Sequence, residues 1–232
     1  MIEQNKPHFH DVLGMERNLT INYSFHSHLG PMDNYRYKQS VIGSIMLQDE
    51  KGNDLEEIGR VYLDKLLLGV AMNEGYDLFD VFDTEQYILE MGECVWDFEK
   101  NHFNRNLNRF FEGDMHESDI LFIHTVEVLP AYRGMRIGET AMKDAANNFE
   151  SGCGLIVVHC EPPQHLHWGH YDKEWHQKMR YELFEKDEKK AREKLIDYLK
   201  RVGFYYLPGV SEDHLFHCPA RLNPNFDYIE LD

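Results

Sequence analysis

Residues 120–158 constrain the fold more tightly than any other stretch of the chain. Ile120 to Leu129 alternates, which assigns Ile120, Phe122, Val126 and Val128 to one face and Leu121, Ile123 and Leu129 to the other, with both faces apolar enough to be covered. The turn Pro130-Ala-Tyr-Arg-Gly-Met-Arg-Ile-Gly138 follows. Ala141, Met142, Ala145, Ala146 and Phe149 then recur at the spacing of one helical stripe. Gly152 and Gly154 end that pattern, and Leu155-Ile-Val-Val158 reads as a short, wholly apolar strand. Strand, glycine-bearing turn, helix and strand make a βαβ unit, which predicts that its two strands run parallel.

The flanking sequence supplies the remaining layers. Leu19 to Phe25 alternates as a strand, and Ser40–Leu47 and Ile58–Leu63 flank the turn-rich Asp49-Glu-Lys-Gly-Asn-Asp54, which predicts an antiparallel hairpin. Tyr87, Ile88, Met91, Val95 and Phe98 predict a helix over 85–98 with Thr84 as its N-cap, whereas 101–118 shows no clear period. Between Tyr171 and Val202 there is neither proline nor glycine. Trp175, Met179 and Leu183, then Ala191, Leu195, Tyr198, Leu199 and Val202, fit one long helix or two, ended by Gly203. Phe204–Tyr206 and His214–Cys218 read as closing strands around the Pro208-Gly209 turn. The alternating charges of Glu185–Lys194 read as an exposed helix face. With no repeat and no linker in 232 residues, the expectation is a single α/β domain over 1–232, with a central mixed sheet and helices on both faces.

Charge and cysteine usage narrow the partners. Forty-one acidic against twenty-four basic side chains give a formal charge of −17, which repels phosphate backbones and argues against nucleic acid. The same field favours cationic small molecules, although an acidic surface also serves plain solubility. The longest apolar run, Leu66–Met72, is seven residues, whereas a membrane span needs about 20. The first residues lack the basic flank and apolar run of a secretion signal, and Cys94, Cys153, Cys160 and Cys218 form no C-x-x-C. Reduced thiols and a cytoplasmic location are therefore expected, with no membrane partner. The sequence leaves a homodimer open.

The chemistry is expected at the turn from Tyr132 to Gly138. It joins a strand end to unpaired helix amides that bind anions, its glycines allow close backbone approach, and Arg133 and Arg136 add positive charge. A phosphate-bearing ligand fits this arrangement; a surface loop with two solvated arginines is the plainer alternative. The segment is neither a Walker A loop nor a dinucleotide G-x-G-x-x-G fingerprint.

The run Val126-Glu-Val-Leu-Pro-Ala-Tyr-Arg-Gly-Met-Arg-Ile-Gly138, with its alanine-rich helix and apolar strand, resembles the acetyl-CoA-binding motif of the GCN5-related N-acetyltransferase superfamily. Leu195-Ile-Asp-Tyr-Leu-Lys-Arg-Val-Gly-Phe204 resembles the second signature of that superfamily, a helix ending in Gly-Phe. Together they place a recognisable core over 119–218, with 1–118 an elaborated front half and 161–190 an insertion. The resemblance implies a mostly antiparallel sheet with one splayed parallel strand pair. It further implies that the main chain at Val126 and Val128 hydrogen-bonds the pantetheine arm, and that the amides of Arg133, Gly134, Met135, Arg136, Ile137 and Gly138 cradle the pyrophosphate of acetyl-CoA. The function implied is acetyl transfer to a primary amine of an unidentified acceptor by direct attack in a ternary complex, and the acidity of the chain is the one hint that this acceptor is cationic.

Two positions depart from that pattern. Arg136 stands where the superfamily usually has glycine. Leu199 stands where many members have the tyrosine that protonates the leaving thiolate, which leaves Tyr198, one residue earlier, as the candidate acid. For the base that deprotonates the amine, Glu127, Glu161, His124 and His159 lie on or beside the central strands, and no spacing rule chooses among them. The segment His165–His176 carries four histidines and two tryptophans and is expected over the acceptor side. His165, His167 and His170 match no strong zinc spacing, so no metal is expected. Two further readings compete with the enzyme: a non-catalytic acyl-CoA-binding or regulatory module, and a metal-dependent hydrolase built on the histidine segment.

Overall fold

Alternation in the front half builds an antiparallel meander. In the computed structural model, which describes residues 18–26, 34–165 and 172–227, β1 (Asn18–His26), β2 (Lys38–Gln48) and β3 (Asp54–Leu66) pair in succession. The β2–β3 hairpin is set by Asp49, whose carboxylate accepts the amides of Lys51 and Asn53 at 2.8 and 2.9 Å.

Three short helices follow: α1 (Leu68–Asn73), α2 (Leu78–Phe82) and α3 (Gln86–Val95). Thr84 does not cap α3; its hydroxyl donates to the Val81 carbonyl at 3.0 Å, and Glu85 holds the cap position. The helix stops at Val95, because Trp96 turns extended and opens the small ribbon β4 (Trp96–Asp97) with β5 (His102–Phe103). Gly92 lies within α3 for a packing reason: a Cβ there would stand 2.4 Å from Cδ1 of Phe82. The stretch without sequence period contains β5 and α4 (Arg105–Phe110), the latter started by the Asn104 side chain accepting the Leu107 amide at 2.9 Å.

β6 (Asp119–Val128), α5 (Ile137–Phe149) and β7 (Cys153–His159) form the expected βαβ unit, with β6 and β7 parallel. α6 (Lys173–Met179) and α7 (Glu188–Val202) are separate helices, divided at Arg180, whose φ of 46° no helix continues through. Asp187 caps the start of α7, and Gly203, at φ 121°, ends it. β8 (Tyr205–Tyr206), β9 (His214–His217) and α8 (Pro224–Asp227) close the described chain. The strand order is β1-β2-β3-β6-β7-β9-β8, and every described pairing in this sheet is antiparallel except β6 with β7.

Two apolar layers flank the sheet. On one face Val41, Ile45, Val61, Leu63, Leu121 and Ile123 pack against Ile137, Ala141 and Ala145 of α5 and Leu199 of α7. On the other, Ile120, Phe122, Leu155 and Val157 pack against Leu68, Phe82, Ile88 and Phe111, from α1, α2, α3 and the end of α4. Each large side chain so buried contributes roughly 1.5–3 kcal/mol of transfer free energy.

The facing of β6 corrects the alternation read from sequence. Ile120 and Phe122 meet the α1–α4 side, but Val126 and Val128 join Leu121 and Ile123 on the α5 side. The register explains this: Leu63 faces Ile123 and Tyr62 faces Thr125, so His124 is an extra residue on β6. Such a bulge turns over the facing of everything beyond it. Among the described residues no helix is long and apolar enough to cross a membrane.

Candidate active site at the end of the parallel strand pair

The bulge coincides with the point where the two parallel strands part. Their ladder runs from Asp119–Cys153 to Ile123–Val158 and stops there, while β6 continues to Val128 with β3 as its ladder partner among the described residues. Val126 and Val128 thus lie on a stretch of main chain that borders a wedge between β6 and β7. Beyond it the Leu129 amide bonds the Ile58 carbonyl at 2.8 Å, a single turn spans Pro130–Tyr132, and Gly134 takes φ 84°. The first turn of α5 then presents the amides of Ile137, Gly138 and Glu139, which a helix cannot satisfy internally. Gly138 permits close approach: a Cβ there would lie 3.3 Å from the Tyr198 hydroxyl, 3.7 Å from Val128 and 3.9 Å from Val126.

The two arginines of this turn are engaged within the protein. Arg133 donates from Nε to the Val128 carbonyl at 2.8 Å, reaches the Met179 carbonyl with its guanidinium, and lies 4.1 Å over the Phe184 ring. It therefore ties the strand end to α6, a task the sequence did not suggest. Arg136 adopts the left-handed conformation at φ 60° and pairs with Glu139 at 3.1 Å, which Lys143 also holds at 3.0 Å. The conformation accounts for the glycine expected by resemblance at this position. Tyr198 sets its hydroxyl beside Gly138. Burial, with Glu139 nearby, pushes its pKa well above the ordinary tyrosine value, so the hydroxyl keeps its proton. Leu199 is buried in the core.

On the opposite sheet face, over β2, β3 and β6, lies a cavity of about 580 Å³. That volume falls in the range of small-molecule sites. Ser40, Tyr62 and Asp64 supply its floor, Glu85 and Tyr87 one wall, and Asp172, Trp175, His176 and Tyr181 the other. Part of the histidine-rich segment thus borders it through Asp172, Trp175 and His176, while His167 and His170 lie outside the described residues. Among the described residues no group of three His, Cys, Asp or Glu side chains could hold a metal ion.

Asp64 organises the inner end of this cavity. Its carboxylate accepts His124 Nε2 at 2.7 Å, the Tyr87 hydroxyl at 2.9 Å and the Ser40 hydroxyl. Burial opposes its charge, but the hydrogen bond and field of His124, with Lys38 and Ser40 adding to them, bring its pKa down to about 2. Nε2 of His124 thus faces this carboxylate, which turns Nδ1 away from it. Glu127 lies further along β6, 7 % exposed, accepting Trp175 Nε1 at 2.7 Å and the Tyr181 hydroxyl.

Of the four base candidates, the structure brings His124 and Glu127 to the cavity. His159 is buried against His214 with ring centroids 5.2 Å apart, and burial lowers the two histidines to about 4 and about 3. Glu161 stands 3.9 Å from His159 and does not line the cavity. The four cysteines are free thiols, and burial raises Cys153 to about 12 and Cys160 to about 11, so neither serves as a thiolate. Asp64, Tyr87 and Tyr181 were not singled out from the sequence. Polar Arg60, Tyr62 and Asp64, alternating with apolar Val61 and Leu63, were the available signal for a polar pocket floor. No protein-family model, no curated protein and no solved structure matches this chain.

Proposed function

We propose that the chain is an N-acetyltransferase that moves the acetyl group of acetyl-CoA to a primary amine. The observation that carries this reading is the parting of β6 from β7 at Ile123–Val158, directly before a turn that leads into the exposed amides of α5. A strand edge next to a diphosphate-sized set of amides suits an extended arm ending in a phosphorylated nucleotide, and the wedge lets its thioester meet the cavity on the far side. The finer fold assignment, an acyl-CoA N-acyltransferase-like domain, belongs to the same proposal, and the sheet order is compatible with it.

In this reading the amine enters from the cavity and its ammonium gives a proton to His124 Nδ1, with Asp64 stabilising the imidazolium so formed. The nitrogen lone pair then forms the bond to the acetyl carbon, the carbon–sulfur bond breaks, and the thiolate leaves with the electron pair. Main-chain amides at the wedge would stabilise the oxyanion. Tyr198, protonated and beside Gly138, lies in the amide cradle assigned to the diphosphate, where it can donate to a phosphate oxygen, so the thiolate takes its proton from water.

Calorimetry with coenzyme A and a free-thiol assay with acetyl-CoA over a panel of amines test this. Uptake and amine-dependent thiol release are expected, and Gly134→Val and Gly138→Leu should each weaken uptake at least tenfold, about 1.4 kcal/mol. No uptake by the parent protein would overturn the proposal. Binding without thiol release on any amine would favour the regulatory-module reading, for which the closed Arg136–Glu139–Lys143 network across the first turn of α5 is the favouring observation.

A further inference from the structure

Four carboxylates line the cavity, and three of them meet a basic side chain within 4 Å. Asp64 meets His124 at 2.7 Å, Glu85 meets Lys38 at 3.3 Å, and Asp172 meets Arg60 at 2.9 Å. Glu127 does not. It is more than nine-tenths buried and accepts from two neutral donors, Trp175 and Tyr181, but no ion pair joins it to a described cation. Its cross-strand neighbour Arg60 is committed elsewhere, to Glu57 at 2.9 Å and over the Trp175 ring at 4.0 Å. Arg133 acts on Glu127 at longer range, and aromatic walls favour an alkylammonium over a hydrated metal ion.

We propose that Glu127 anchors a second cationic group of the acceptor, so that the site takes dicationic chains such as α,ω-diamines and longer polyamines. One nitrogen reacts beside His124 and the other sits on Glu127, further along β6, a separation of roughly 7–8 Å, because the extra residue at His124 adds little to two ladder steps of about 3.3 Å each. The assignment of the reacting nitrogen rests on the acetyl-transfer reading; the anchor itself rests only on the cavity and its charge accounting. The formal charge of −17 draws polycations to the whole surface, and Glu127 would convert that general attraction into a preference for length.

The experiment compares pentamethylenediamine, whose length matches that separation, with pentylamine and with trimethylenediamine, which is too short to bridge it. Binding is followed by calorimetry without coenzyme A, and turnover by thiol release with acetyl-CoA. Pentamethylenediamine should bind at least tenfold more tightly than either comparison amine, and its kcat/KM should exceed theirs by the same factor, chiefly through KM. Glu127→Gln, which keeps the side-chain shape and alters the net charge by one, should reduce both ratios to near unity. Equal binding of all three amines by the parent protein would overturn the proposal, as would a length preference that survives in Glu127→Gln. Should coenzyme A not bind, acetyl transfer fails while the calorimetric arm still decides the anchor; should acetyl transfer proceed without length preference, the anchor alone fails. The comparison among amines on the parent protein needs no variant to fold.

Discussion

On the side of β6 that meets α5, Leu121, Ile123, Val126 and Val128 present hydrocarbon only, and the polar groups beside them are main-chain amides held open by Gly134 and Gly138. On the opposite side of the same strand, His124 and Glu127 lead into a cavity whose charges are all carried by side chains. The difference teaches how one strand can serve two kinds of ligand. Fixed amide dipoles suit an anion that is the same in every turnover, because they need no proton and cannot titrate. Ionisable side chains suit a partner that must lose a proton, because they can accept it.

The comparison is broken most severely by removing the ionisable side. Substituting His124→Ala should lower kcat/KM for amines by about a hundred- to ten-thousand-fold while leaving coenzyme A uptake within about threefold, as read by thiol release and calorimetry. Asp64→Asn should follow it, with a further cost of about 3 kcal/mol in denaturant unfolding, because a buried charge network loses its centre. If uptake fell as far as turnover in both variants, the two sides would not be separable.

A second effect concerns acid. His159 and His214 carry folded pKa values of about 4 and about 3, below the ordinary 6.5, so they bind fewer protons folded than unfolded between those limits. Their contribution is complete above pH 6.5 and is lost as pH falls towards 4. Asp64, at about 2 against 3.8, adds a further loss below pH 3.8. Stability should fall by on the order of 4 kcal/mol between pH 7 and pH 5, measured by denaturant unfolding. His159→Phe, which keeps the ring beside His214 and removes one titrating group, should flatten that decline; an unchanged slope would refute the assignment.

The smallest expected effect lies on the amide side. Arg136 holds a left-handed conformation that costs a side-chain-bearing residue roughly 1–2 kcal/mol, partly offset by its exposed pair with Glu139 and by the flexibility of a replacing glycine. Arg136→Gly should therefore stabilise the fold by about 0.5 kcal/mol, seen as a slightly higher denaturant midpoint. A clear loss of stability would mean that the Arg136–Glu139–Lys143 network matters more than the backbone.

Much of this arrangement could be read locally. The βαβ unit, the hairpin and the glycine stop after α7 were legible because each depends on periods and caps within a few residues of one another. Helices α1, α2 and α4 escaped notice because five or six residues are too few to display a helical period. The facing of Val126 and Val128 was misread because strict alternation cannot reveal an inserted residue, whose place is set by pairing with β3. The Asp64–His124–Tyr87 cluster joins three elements far apart in the chain, and Arg133 was read as a ligand-facing cation although it clamps α6 to the strand end.

The extra residue at His124 also sets what changes this strand can survive. Deleting one residue between Ile123 and Val126 would let the ladder with β3 run unbroken and keep Val126, Glu127 and Val128 on their present faces, but it would take one polar side chain, His124 or Thr125, out of the hollow. An equal deletion in the solvent-exposed hairpin tip at 50–53 would only reshape a loop. Length changes in descendants of this chain should accordingly collect at the hairpin tip and avoid the centre of the sheet.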